Sequence, residues 1–188
     1  DQSLRAAITF IRREKLFLVL ISITWISMFF GTSYVQIMPV FAELLEAGEK
    51  GYGYLISATG VGSVCGTLII GRFQHSPLLG RYMMGGAVLF AISLLFFAAV
   101  TGLLEGGPVA FYAACGCAIL GGIGGSCFLI SSMTVLQIAV PDALRGRVMG
   151  IHSITFSLIA LGGLVLGPIA ELLSAPTAVL FGAITLII

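Results

Sequence analysis

Charge is scarce in this sequence. Lys and Arg number nine and Asp and Glu eight, 9% of 188 residues, against roughly 25% in an ordinary soluble domain. None of those seventeen interrupts the interior of a long apolar run. With 59% apolar residues, a water-soluble fold of this size could not bury its own surface, which excludes a soluble globular domain. Cysteine is limited to Cys65, Cys115, Cys117 and Cys127, all inside apolar runs and without C-x-x-C spacing. They read as small packing residues, so neither disulfides nor a metal site is expected. No phosphate loop or nucleophile elbow is present. Gly121-Gly122-Ile123-Gly124-Gly125 lacks the Lys-Ser/Thr of a nucleotide loop and sits in an apolar run. The chain is therefore not expected to be an enzyme, to hold a cofactor or to bind nucleic acid.

What is present is a series of membrane-length apolar runs. Asp1 to Lys15 is polar and basic, unlike a signal peptide, and reads as an amphipathic cytoplasmic segment (1–15). The transmembrane domain follows over 16–188, with spans at about 16–41, 54–70, 82–104, 109–140, 148–173 and 176–188. The fifth, Val148 to Leu173, follows a charged turn, Pro141 to Arg147, and meets no acid, Lys or Arg until Glu171. At about 1.5 Å per residue it is about 39 Å of helix, enough to cross a ~30 Å hydrocarbon core with some tilt. The sixth is too short to cross, so the chain is expected to be truncated there. In the fourth, Gly121-Gly122 and Gly124-Gly125 predict bending or close packing.

The basic residues orient the bundle. With the amino terminus inside, Arg5, Arg12, Arg13, Lys15, Arg72, Arg81, Arg145 and Arg147 are all cytoplasmic and only Lys50 is outside. Gly62-x-x-x-Gly66 in the second span and Gly163-x-x-x-Gly167, followed by Pro168, in the fifth each occupy the middle of a set of three helices. That placement fits two inverted three-helix repeats, or simple helix packing.

Several stretches resemble a known family. Leu4-Arg5 and Phe10 to Arg13, Met38 to Ala42, Gly51 to Leu55, and above all Val140-Pro141-Asp142-Ala143-Leu144-Arg145-Gly146-Arg147-Val148-Met149-Gly150 resemble the carboxy-terminal half of a major facilitator superfamily transporter. The bacterial enterobactin-exporter-like branch is the most similar. Gly163 to Pro168 resembles its antiporter-associated motif, with Glu171 where that motif has glycine; Gly71-Arg72 stands where the gating motif has Asp-Arg. The resemblance implies helices seven to twelve of twelve, a facing amino-terminal six-helix half as partner, lipid contact, and residence in the bacterial inner membrane. It also implies that the first and fourth spans line a central cavity.

Those two spans carry the polar residues. Trp25, Phe29, Thr32 and Gln36 fall on one face of the first at helical spacing, with Thr24, Ser27, Gly31 and Tyr34 adjoining; Ser126, Ser131, Ser132 and Thr134 belong to the fourth. Polar groups left unsatisfied in hydrocarbon are costly, so these faces should point into protein or a wet cavity. Trp25, Phe29, Thr32, Tyr34, Gln36, Ser126 and Ser131 are the expected solute contacts, against the alternative of interhelical hydrogen bonds. Arg72, Asp142, Arg145 and Arg147 read as a cytoplasmic anchor or gate. His152 reads as a pH sensor or as an interfacial, hydrogen-bonded histidine. Two functions fit: a secondary transporter moving a small amphipathic solute outward by alternating access, or a non-transporting helical bundle.

Overall fold

A computed structural model describes residues 9–12, 14–104 and 106–187. Beyond a helical turn at residues 9–12, six helices order them: α1 Lys15–Leu44, α2 Gly48–Phe73, α3 Leu79–Leu103, α4 Gly107–Ala139, α5 Asp142–Leu172 and α6 Ala175–Ile187. No strand occurs among the described residues. The first five are long and apolar enough to cross a membrane; α6 is shorter. The chain is an all-α membrane bundle. Val61, Val64, Leu68, Phe96 and Leu164 are exposed on its outside, an apolar exterior suited to lipid.

Most of the amphipathic segment 1–15, with Glu105, falls outside the described residues. Of that segment, Ile11 is buried and the Phe10 ring lies 5.1 Å from that of Phe17 on α1. The charged stretch expected as a turn is instead the first two turns of α5, which starts at Asp142 directly after Pro141. Proline tolerates a helix start and an acid in the first turn complements the helix dipole, so the local sequence favours continuation over a loop.

Glycines set the helix spacing. A Cβ on Gly62 would strike the Ile119 carbonyl, and one on Gly66 would sit 2.5 Å from the Ile123 carbonyl, so α2 and α4 touch backbone to backbone. Across the same seam, Gly122 meets the Thr59 carbonyl. Two residues on, Gly124 faces α3, with Phe90 N at 2.6 Å and Gly86 O at 2.8 Å from its absent Cβ. One unbroken α4 thus holds α2 on one side and α3 on the other. In α5 the close approach comes at Gly162, against the Phe29 carbonyl and Ser33 of α1. Gly163 meets only the Gln36 side chain, and nothing lies within 4 Å of a Cβ at Gly167. The contact is one residue away from the glycine pair singled out by spacing, because Gly162 and Leu166 form the buried stripe. Pro168 is exposed, within the helix.

The arrangement repeats itself. Helix α4 lies between α2 and α3, α1 lies between α5 and α6, and α3 meets α6. Gly182 on α6 presses on the Phe30 carbonyl of α1 as Gly86 presses on α4. Two apolar clusters fill the ends of the bundle. One gathers Phe41, Leu55, Phe97, Ala114 and Val179; the other gathers Phe17, Leu20, Leu136, Val140 and Val148.

Candidate functional site

Between those two clusters, α1 departs from regular geometry. It is α-helical to Ile26, passes through a π turn at Ser27–Gly31 and a 3-10 stretch at Thr32–Ile37, and resumes as α at Met38–Leu44. The local sequence accounts for this. The single proton of the Ser33 hydroxyl is shared between the Met28 carbonyl five residues back (3.0 Å) and the Ile159 carbonyl of α5 (2.9 Å). Gly31 offers no side chain to the crowded turn, and Pro39 has no N–H for the Val35 carbonyl. A widened turn inside a long helix is a frequent mark of a functional position.

A cavity of ≈ 220 Å³ adjoins this irregular segment. Met28, Thr32, Tyr34 and Val35 of α1, Thr59 and Ser63 of α2, Phe90 of α3, Gly121, Gly122, Gly125, Ser126 and Leu129 of α4, and Phe156 and Ile159 of α5 line it. The structure therefore brings Thr32, Tyr34 and Ser126 to one place. It does not bring Trp25, Phe29, Gln36 or Ser131 there. A face reckoned at 100° per residue is re-phased by a π turn followed by a 3-10 stretch. Gln36 consequently points outward against Gly163, and Phe29 stacks edge-on with Phe30, ring centroids 4.8 Å apart. Trp25 packs beside the Phe17–Val148 cluster and Ser131 is fully buried.

Reasoning from the sequence missed Thr59 and Ser63. The signal was there: Thr59, Ser63 and Thr67 recur every four residues, one helical stripe. Each hydroxyl donates to the carbonyl one turn back, Thr59 to Leu55 (3.0 Å), Ser63 to Thr59 (3.0 Å) and Thr67 to Ser63 (2.8 Å). A hydroxyl whose proton is committed this way offers the cavity only its lone pairs. Thr32 donates to the Met28 sulfur at 3.3 Å and does the same. Tyr34 is buried with its hydroxyl beside Gly121 and facing Thr59. No carboxylate, amine or guanidinium lines the cavity. Its chemistry is apolar wall with a few hydroxyls, those of Thr32, Thr59 and Ser63 as acceptors and those of Tyr34 and Ser126 with protons to donate, and no cluster of potential metal ligands exists among the described residues. A wider apolar groove of ≈ 580 Å³ lies between α1, α3 and α6, and carries only the Ser27 and Thr185 hydroxyls.

Over residues 2–188 the sequence matches a major facilitator superfamily family, the transmembrane secretion effectors. The chain belongs to that family. No curated protein and no solved structure matches it. Among secretion effectors, as transporters, attention falls on the charged end of the bundle as well as on the cavity. Here Asp142 and Arg145 pair at 2.6 Å across one turn, both exposed, and Arg145 reaches the Val140 carbonyl at 3.5 Å. Arg72 and Arg147 are exposed, as is Glu171 at the far end of α5. His152 is buried, 1% exposed, and neither ring nitrogen has a hydrogen-bond partner among the described residues.

Proposed function

We propose that this chain is the carboxy-terminal six-helix half of a secondary active exporter, related to the enterobactin-exporter-like branch, that moves a small amphipathic solute by alternating access. The observation that carries the reading is the charge-free, hydroxyl-lined cavity where α1, α2, α4 and α5 meet. Hydroxyls set in apolar walls suit a solute with an apolar body and one or two hydrogen-bonding groups, with no fixed charge to pair a bare ion. Its ≈ 220 Å³ falls short of the roughly 300–1,000 Å³ of small-molecule sites, so a facing six-helix half would supply the remaining wall.

The other parts of the reading rest on separate supports. The repeated contact pattern of α1–α3 and α4–α6 favours two inverted three-helix repeats, a construction found in secondary transporters. The basic residues at the charged ends favour a cytoplasmic amino terminus in the bacterial inner membrane. The exposed Asp142–Arg145 pair, with Arg72 and Arg147, suits an anchor at that face better than a gate, since an exposed pair contributes little energy. Lipid covers the exposed apolar exterior.

The test is efflux of a neutral lipophilic dye, Nile red, by the intact protein in membrane vesicles. Thr59→Val and Tyr34→Phe should each lower the rate while membrane abundance is kept; unchanged rates would remove the cavity from the transport path. The isolated 188-residue chain, reconstituted alone, should not concentrate the dye. Robust uptake by it would dispense with the facing half.

A further inference from the structure

Among the described residues, His152 is the one buried side chain that bears an imidazole, carboxylate, amine or guanidinium. Neutral imidazole has one donor and one acceptor, and here both ring nitrogens are buried without a partner. A leucine would fill the same space without that cost. The two other buried polar side-chain atoms left in this state are Nε1 of the half-buried Trp25 and Oγ of the buried Ser131.

These three share a depth. Trp25 lies ten residues into α1 from Lys15, His152 ten residues into α5 from Asp142, and Ser131 eight residues before the end of α4 at Ala139. At about 1.5 Å per residue, each sits about 12–15 Å from its helix end. Those three ends lie on the same side, because Phe17 and Leu20 of α1, Leu136 of α4, Val140 between α4 and α5, and Val148 of α5 form one buried cluster.

We propose that His152 is a proton-binding site that couples the transport step to the pH gradient, with Ser131 and Trp25 as its polar neighbours at that depth. This rests on the transport reading above. The imidazole takes up one proton from water on one side of the membrane, becoming imidazolium, and returns it to water on the other; only N–H bonds form and break. The buried residues that cluster at that end, Phe17, Leu20 and Ile21 of α1, Leu136 of α4, Val140 between α4 and α5, and Val148 of α5, carry no titratable group. On its own helix Asp142, Arg145 and Arg147 are exposed, as are Arg12, Glu14 and Lys15 before and at the start of α1. A buried imidazolium with no counter-charge is costly, so uptake of the proton favours the state in which the site is open to water. Beside it, α5 tightens to a single turn at Ile154 (φ −57°, ψ −24°), where the Ser153 hydroxyl donates to the Gly150 carbonyl (2.7 Å) and the Thr155 hydroxyl to the His152 carbonyl.

Two measurements on the intact protein test this. The first follows carbon-13-labelled histidine by NMR in nanodiscs, with the His152 resonance identified by its loss in His152→Gln. It should follow a one-proton curve as the pH is lowered; a resonance that stays fixed over the whole range in which the protein remains folded overturns the proposal. The second measures Nile red in proteoliposomes, a neutral probe that the membrane potential does not drive. In His152→Gln, efflux driven by a pH gradient should fall by about tenfold or more, while gradient-free exchange of the dye stays within about twofold of the parent protein. His75→Gln, altered at an exposed loop position, should keep both. Full gradient-driven efflux in His152→Gln overturns the coupling. Equal loss of exchange and efflux there and in His152→Asn also overturns it, in favour of a structural role. If the parent protein moves no dye at all, the transport reading fails, and the NMR titration still decides whether His152 binds a proton.

Discussion

Thr24 of α1 and Ser132 of α4 share a hydrogen bond of 2.9 Å in the fully buried interior. Because Thr24 also donates to the Leu20 carbonyl at 2.8 Å, the shared proton belongs to Ser132. The bond fixes α1 against α4 one residue along each helix from the unpartnered Trp25 and Ser131. Ser132→Ala should lower stability by about 0.6–1 kcal/mol, and Thr24→Val by a similar amount. A double-mutant cycle on thermal unfolding in detergent should return a coupling near 0.6 kcal/mol; no coupling would mean that the two hydroxyls act separately.

The glycines divide into those with room and those without. Gly62→Ala and Gly162→Ala place a methyl on the backbone of α4 and α1 respectively. Each should cost about 1–3 kcal/mol and broaden the size-exclusion profile. Gly167→Ala meets open space and should leave the unfolding midpoint unchanged or raise it, since alanine favours helix over glycine by about 1 kcal/mol. Equal damage at Gly162 and Gly167 would contradict the packing described.

Gln36 and Ser63 make a contrasting pair. Ser63→Ala removes a cavity acceptor and should reduce solute transport, whereas Gln36→Ala, outside the cavity, should not alter it. Rates normalised to membrane abundance decide between them.

The exposed Asp142–Arg145 pair should be weak. Asp142→Asn should change stability by less than about 1 kcal/mol, with the difference shrinking as salt is raised. Thermal unfolding at low and high ionic strength measures both.

The bundle was legible in the sequence because hydrocarbon imposes a length on apolar runs, and glycine spacing marked Gly62 and Gly66. Three things were not. Hydropathy does not register a helix that continues into charge, so Asp142 to Arg147 read as a turn. The face presented by α1 depends on the hydrogen bond from the Ser33 hydroxyl across to the Ile159 carbonyl, a partner 126 residues away that local periodicity cannot contain. Thr59 and Ser63 were overlooked because attention stayed on the more polar first and fourth spans, while their own stripe, every fourth residue, was plain.

The 3-10 stretch of α1 has one more consequence. Six residues, Thr32–Ile37, rise about 2.0 Å each in 3-10 form and about 1.5 Å each as α-helix. Rewinding that stretch would shorten α1 by about 3 Å and, at about 20° per residue between three and 3.6 residues per turn, swivel its far end by roughly a third of a revolution. Advance and rotation are thus geared together as in a screw, and Tyr34 sits on the thread.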